Sequence, residues 1–419
     1  MKKFFLVALI FLSFIEIQAQ EQKWLLNSNM IQGTWSSELH TVLNDVVVQR
    51  ALLDIASSPR TKEYIDSTLQ KTNYSLTQLL KLKLIRRQKD IYVINYLLFT
   101  AIDLHLMREI TESNAQMLAN ALLKHRAEIE TILKPYELSD VDPYATLFII
   151  LGCFSLDWDG LALTAERGYR LNGNNDTLSI VTSEECIYDV NASSPTLSRK
   201  EFYKGSHNET YGIATLTSFG DHAIQPRKAF PDVLWQIEDK VTLVNYPDSL
   251  KSRIHDLVNV SINEIGEHIG LIMLALRDDG KTLAELAEVI KVRQDNAERL
   301  LDLMMELGYI KQNANHYQSC IPVLALRDSS IVKQIRRIGR ETMEKYFDSN
   351  YEQLHKDLSE LTPFRYGLEQ NIFFYSIWHD IFGATNRILV KEGLFADPYS
   401  KVYGSKGIIP VVFHSSLRK

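Results

Sequence analysis

The chain is written twice. Residues 52–69 (LLDIASSPRTKEYIDSTL) read like residues 273–290 (MLALRDDGKTLAELAEVI), displaced by 221 positions. The same displacement returns later, where Leu147, Ser155, Asp159 and Thr164 fall on Leu368, Ser376, Asp380 and Thr385. Between these blocks the displacement is 225, carrying Ile85, Tyr92 and Asp103 onto Ile310, Tyr317 and Asp328; a small insertion around Val292 to Asp295 accounts for the change. A repeat this long is not a solenoid unit but a duplicated domain. Its identities are few, so the duplication is read from constant register, matched apolar positions and a common order of elements.

At 419 residues the chain exceeds what one ordinary core holds. Its 45% hydrophobic and 23% charged residues are ordinary globular composition. A net charge of −6 and a pI near 6.0 do not mark a nucleic-acid binder as a whole, although local patches still matter. At the N-terminus, Lys2 and Lys3 precede the apolar run Phe4 to Ile15, followed by a short polar stretch and Ala19 before Gln20. That is the grammar of a secretory signal peptide, expected to be cut near Ala19, and the run is short for a membrane span. An uncleaved membrane anchor or a misplaced start is the alternative. The expected location is secreted or periplasmic. Of three cysteines, Cys153 lies in an apolar run and reads as a buried small hydrophobe, while Cys186 and Cys320 are candidates to pair in an oxidising compartment. No CxxC supports a metal site, and no metal or cofactor is expected.

Within the first copy, Val46 to Ala56 has helical apolar spacing and ends at Ser57, Ser58 and Pro59. Thr61 is placed to cap a second helix and Thr72 a third, whose apolar face is Leu76, Leu79, Leu80 and Leu82. Leu84, Ile85 and the run IYVINYLLF bracket the polar turn RRQKD, which reads as a hairpin. Helix, helix, helix and two-stranded wing is the order of a winged helix-turn-helix. The second copy repeats it with helices over 267–277, 282–290 and 295–307. Gly308 closes the third helix, and a wing follows with Asn313, Ala314 and Asn315 at its tip. A helical stretch follows each wing (104–133 and 331–361), then an apolar helix (144–167 and 367–390), then a β tail. In the tails, 211–219 (YGIATLTSF) resembles 406–414 (KGIIPVVFH), preceded by Gly205-Ser206 and Gly404-Ser405.

Over Lys281 to Lys311, KTLAELAEVIKVRQDNAERLLDLMMELGYIK, the second copy resembles the small winged-helix regulators of the ArsR and MarR type. The resemblance covers well under half of each copy, and Val292 to Gln294 stand where those proteins carry a small turn residue. It implies a winged-helix fold and, because such regulators act as two-fold dimers, a single-chain pseudo-dimer. The expected class is therefore mainly α with small β wings (α+β), an internally duplicated winged-helix-containing domain with a C-terminal β hairpin in each copy. The expected segments are a signal peptide at 1–19, a polar lead-in at 20–43 with Trp24 and Trp35, a first copy at 44–235 with a polar insertion at 172–208, a linker at 236–262, and a second copy at 263–419.

The third helix and wing of such a module are its reading surface. From Lys71 to Lys89 the first copy has six basic residues, Lys71, Lys81, Lys83, Arg86, Arg87 and Lys89, and no acid; Asn73, Ser75, Thr77 and Gln78 add polar groups. That is a candidate surface for an anionic partner or nucleic acid, or simply a solvated face with a basic tip. In the equivalent segment Lys291, Arg293, Arg299 and Lys311 stand against Asp295, Glu298, Asp302 and Glu306, so the electrostatic attraction that dominates DNA affinity is missing. The repeat-matched acids Asp159 and Asp380 sit in apolar helices beside Trp158 and beside Trp378 and His379. They read as a structural polar network, or as a ligand site lined by Asp159, Trp378, His379 and Asp380. Asp103 and Asp328 read as helix caps. No GxSxG, P-loop or GxGxxG occurs, Glu264 and His268 lack the second His of HExxH, and His316, His355, His379 and His414 are scattered. The leading expectation is a non-enzymatic secreted or periplasmic binding and assembly protein with a protein partner in the cell envelope. The alternatives are a DNA-binding regulator, cytoplasmic or membrane-tethered, and an enzyme or ligand-binding protein acting near Asp159 or Asp380. Nucleic acid is a partner only if the chain is not exported; whether it is monomer or homodimer is open.

Overall fold

The structure is a computed structural model describing residues 26–30, 36–138, 141–168, 178–184, 203–220, 247–255, 257, 261–277, 279–400 and 407–418. The signal segment, Trp24, Trp35, Cys186, Gly404 and Ser405 lie outside them. The fold is mainly helical with small sheets, an α+β architecture.

The first part of the chain runs β1 (Leu26–Met30), α1 (Ser37–Leu43), α2 (Val46–Ser57), β2 (Arg60–Thr61), α3 (Lys62–Leu69), α4 (Leu76–Lys81), β3 (Ile85–Gln88), β4 (Ile91–Ile94) and β5 (Tyr96–Phe99). Then come α5 (Ala101–Leu123), α6 (Arg126–Leu133), α7 (Pro143–Leu147), a π-helix at Phe148–Asp159, α8 (Gly160–Glu166) and β6 (Leu178–Glu184). Local chemistry sets the boundaries. Asp45 accepts from the backbone N–H groups of Val47 and Val48 at the start of α2. Thr61 caps α3 through Tyr64, as its position in the sequence suggests. The third helix departs from expectation. Ser75, not Thr72, caps α4 in a reciprocal box with Gln78, which satisfies two donors that Thr72 alone would leave open. Thr72 instead closes the preceding turn, donating to the Leu69 carbonyl and accepting from Tyr74 N–H.

The second part runs β7 (Ser206–Tyr211), β8 (Ala214–Gly220), α9 (Asp248–His255), α10 (Ile262–Ala275), β9 (Lys281–Thr282), α11 (Leu283–Val289), α12 (Gln294–Glu306), β10 (Ile310–Asn313), β11 (His316–Ser319) and β12 (Val323–Leu324). It continues with α13 (Ser329–Ser359), α14 (Thr362–Arg365), α15 (Asn371–Lys391) and β13 (Ile408–His414). Ser261 starts α10 five residues ahead of the expected Glu267. Thr282 and Glu285 form a capping box on α11. Gly308 turns the chain out of α12 at φ 77°.

Elements match across the two parts. The displacement of 221 carries β2 onto β9, and 225 carries β3 onto β10 and β4 onto β11, residue for residue. Positive φ angles match too: Lys83 (58°) after α4 falls on Gly308 (77°) after α12, and Lys89 (58°) on Ala314 (52°), the latter two at the first position of a two-residue wing turn. Sheet order extends the correspondence. β5 runs parallel to β6, which is antiparallel to β1; β12 runs parallel to β13, which is antiparallel to β8, with β7 added outside.

Sheet order also corrects the expected pairing of tails. Residues 211–219 and 406–414 are not equivalent strands but antiparallel neighbours in one sheet, Val411 opposite Thr217. The topological counterpart of β13 is β6, inside the expected insertion at 172–208. The described part of the second tail (407–418) is one strand and a short helical turn rather than a hairpin. β1 and α1 occupy the expected lead-in at 20–43, and α9 lies in the expected linker at 236–262.

The chain folds into two compact units that interleave in sequence. The first holds the described residues within Met1–Ile110, Gly168–Ser193 and Glu352–Tyr375; the second holds those within Thr111–Arg167, Ser194–Tyr351 and Ser376–Lys419. The compact units are thus not the sequential segments 44–235 and 263–419, because each takes residues from both sides of 236–262. The first unit's core joins α1–α4 to the wing through Leu52, Ile55, Ile65, Leu79, Ile85 and Ile94, all essentially inaccessible. The second unit has a similar core around Ile269, Met273, Leu286, Leu301, Met304 and Ile310. Each such side chain contributes about 1.5–3 kcal/mol on full burial.

Candidate functional site

The basic segment of the first unit is built on α4 and the β3–β4 hairpin. α4 has six residues, so it is about 9 Å long at the helical rise. Lys71, Asn73, Lys81, Arg87 and Lys89 are exposed and Lys83 is half-buried. In the capping box Ser75 Oγ accepts the Gln78 backbone N–H and Gln78 Oε1 accepts the Ser75 backbone N–H, so these two oxygens are engaged. Lys81 pairs with Glu38 at 3.5 Å and Arg87 with Asp90 at 3.7 Å, exposed pairs of small energetic weight. Arg87 also donates to the Lys89 carbonyl at 2.7 Å, which braces the tip.

Arg86 does something else. It stands opposite Val93 across the hairpin, on a face where Val93 is fully buried, and its guanidinium donates to the Tyr366 carbonyl. Arg86 therefore anchors the wing to residues just after α14 instead of offering a charge to a partner. The outward basic set is Lys71, Lys81, Arg87 and Lys89. In the second unit the equivalent α12 is longer, at 13 residues, and Arg253–Asp302 and Arg293–Asp295 ion pairs neutralise much of its charge.

The matched acids separate. Asp159 is held by both ends of the Arg336 guanidinium, at 2.6 and 3.0 Å, and Arg336 also donates to the Leu417 carbonyl at 3.0 Å. Asp380 pairs with Lys204. Trp378 is fully buried, with its indole N–H on the Leu156 carbonyl at 3.0 Å. A Cβ at Gly160 would stand 2.5 Å from the Trp378 ring nitrogen, so the glycine permits this close helix crossing. His379 is half-buried against Phe382, ring centroids 5.2 Å apart. Each acid has its own cation, and the Trp378 ring fills core space; this is how structural polar groups are satisfied.

Asp103 and Asp328 do more than cap helices. Each accepts a backbone N–H from three residues earlier, Thr100 or Ala325, at 2.8 Å. Asp103 also receives the Thr362 N–H at 2.8 Å and its hydroxyl at 3.0 Å. Asp328 receives Arg277 bidentately at 2.7 and 3.0 Å, both side chains buried. The remaining Arg277 nitrogen donates to the Glu137 carbonyl at 2.7 Å, and the guanidinium lies 4.3 Å from the Tyr136 ring centre. A cavity of about 960 Å³ opens beside this pair, lined among others by Thr131, Glu137, Gln318, Arg327 and Gln334. Arg277 had no sequence signal beyond its place at a helix end.

Asp157 was also missed. Among the described residues it is buried without a cation, and the Ser206 hydroxyl donates to it at 3.3 Å. Burial pushes its carboxyl up to about 7 from an ordinary 3.8, opposed by the Ser206 hydrogen bond. Ser206 Oγ also accepts the Trp158 indole N–H and the Asn208 amide, both at 3.2 Å. Cys153 nearby is buried, which drives its thiol well above the ordinary range and leaves it a packing residue. Among the described residues no three His, Cys, Asp or Glu side chains converge as a metal site. No family model, curated protein or solved structure matches the chain.

Proposed function

We propose that the chain is a non-enzymatic binding and assembly protein of the cell envelope, built as a single-chain winged-helix pseudo-dimer. The observation that carries this reading is the braced wing of the first unit. Arg86 pins the hairpin from within, while Lys71 in the turn before the boxed helix α4, Arg87 on β3 and Lys89 at the wing turn are exposed. Such a surface offers positive charge and suits an acidic protein partner. The matched element order in the second unit, with its neutralised α12, fits a supporting or separate protein-binding role. The DNA-reading alternative asks α4 to enter a major groove, and six residues, with Ser75 Oγ and Gln78 Oε1 engaged in the cap, leave little to read bases.

The test is crosslinking of the tagged chain in its native cells, comparing wild type with the triple variant Lys71→Glu, Arg87→Glu, Lys89→Glu. Arg86 stays untouched because reversing it would unpin the wing. The variant is expected to lose a discrete crosslinked envelope species while keeping its circular dichroism spectrum. An unchanged crosslink pattern refutes the reading. Salt-sensitive retention of the wild type on duplex DNA, with Met1 to Ala19 still attached by intact mass, supports the regulator instead.

A further inference from the structure

Two segments cross over in sequence. The first unit's module (α2–α4 and its wing) is completed by residues 361–366 from late in the chain. Thr362 donates to Asp103, and Phe364 meets Phe99 edge-on at 6.4 Å. The second unit's module (α10–α12 and its wing) is completed by residues from early in the chain. Tyr136 donates to the Val323 carbonyl at 2.9 Å, and the Glu137 carbonyl accepts from Arg277. The displacement of 225 carries Glu137 onto Thr362 and Asp328 onto Asp103, so these are the same arm on the same socket. The chemistry is inverted: one arm donates to a carboxylate, the other accepts from a guanidinium.

Charge is inverted in one direction as well. Within the second unit, Glu112, Asp159 and Glu166 from the first part of the chain pair with Arg387, Arg336 and Arg340 from the second. Among the described residues Arg167–Asp348 is a single pair of opposite sense. The repeat displacements put Thr111, Ala115 and Glu166 where the second part has Arg336, Arg340 and Arg387. A pairing of two first halves would therefore set Asp159 against Thr111 and Glu166 against Ala115 and Glu112. A pairing of two second halves would set Arg387 against Arg340, leaving only Asp380 against Arg336 attractive.

We propose that residues 26–184 and 203–418 are mutually specific partners, a heterodimer carried on one chain, whose arms and one-way charge complementarity exclude pairing of like halves. This rests on the pseudo-dimer reading but not on any external partner. A protease site placed within 185–202 of the full chain provides the test. The cut protein is expected to remain one species of 1:1 fragments on native gel filtration, to separate in urea, and to return to the 1:1 species only when both fragments are refolded together. Fragments that part in native buffer, or a first fragment that forms a stable homodimer, overturn the proposal. A charge exchange guards against simple misfolding. Asp159→Arg alone is expected to weaken reassembly by about tenfold or more, and Asp159→Arg with Arg336→Asp to recover most of it. A double variant no better than the single overturns the specificity argument. An envelope crosslink pattern that the triple variant leaves unchanged, with intact reassembly, would sink only the binding role, so the two failures are distinguishable.

Discussion

Asp157 makes the stability of the second unit depend on pH in a direction opposite to that of a salt-bridged acid. Two residues away Asp159 has Arg336; among the described residues Asp157 has only the Ser206 hydroxyl. Arg418 lies over the Trp158 ring, 5.0 Å from its centre, and pairs with neither acid. With the folded carboxyl raised by burial to about 7 against an unfolded 3.8, the folded state holds a proton that the unfolded state has lost between those values. Stability from this group is therefore complete below about pH 4 and falls as pH climbs to about 7, by about 1.4 kcal/mol per pH unit. Over the interval of roughly three units the loss reaches about 4 kcal/mol, after which it levels off. Asp157→Asn keeps the shape and cannot ionise. Urea unfolding followed by Trp fluorescence from pH 5 to 8 is expected to show a falling midpoint for wild type and a flatter one for the variant, the curves diverging towards high pH. Parallel profiles for the two proteins would refute the assignment, because every other titrating group is common to both.

Two further outcomes follow from the packing. Arg277→Met leaves Asp328 buried without its cation and Glu137 O without a donor; it is expected to cost about 3–5 kcal/mol in the second unit, read by chemical denaturation, and Arg277→Met with Asp328→Leu to recover much of that. A single variant as stable as wild type would show that the pair is not closed in solution. Ala314 sits at φ 52° at a wing tip, so Ala314→Gly is expected to raise the unfolding free energy by up to about 1 kcal/mol; a drop would mean that the turn is not left-handed.

Much of the module was legible because its signals are local. Apolar spacing from Val46 to Ala56 gives α2, Thr61 is a hydroxyl cap at the expected place, and the RRQKD turn divides β3 from β4. Ser75 escaped notice because Thr72 offers the same functional group; what decides is the partner three residues on, Gln78 for Ser75 against none for Thr72. β1 escaped because Leu26–Met30 shows no apolar alternation; its evidence is the backbone ladder to β6, distant in sequence. The tails were mispaired for the opposite reason. Strands that share a buried sheet acquire similar apolar patterns, so the resemblance of 211–219 to 406–414 reports that they are neighbours rather than counterparts.

The charged residues show where sequence reading stops. Counting bases from Lys71 to Lys89 finds the patch but gives every base equal weight, and the Tyr366 carbonyl that removes Arg86 from the surface lies 280 positions away. Asp159 and Asp380 look alike in sequence and differ in their cations, Arg336 and Lys204, neither of which is repeat-matched. That divergence is the informative part. In a pairing of two like halves each residue meets whatever stands at its contact position, so one self-complementary surface would let like halves pair as well as unlike ones. Substitutions that make one half acidic and the other basic along the same contact remove the like-half pairing without touching the apolar core. In the proposed pairing of unlike halves, Glu112 and Glu166 facing Arg387 and Arg340 are such pairs, and they carry meaning only once the structure shows which half supplies each side of a pair.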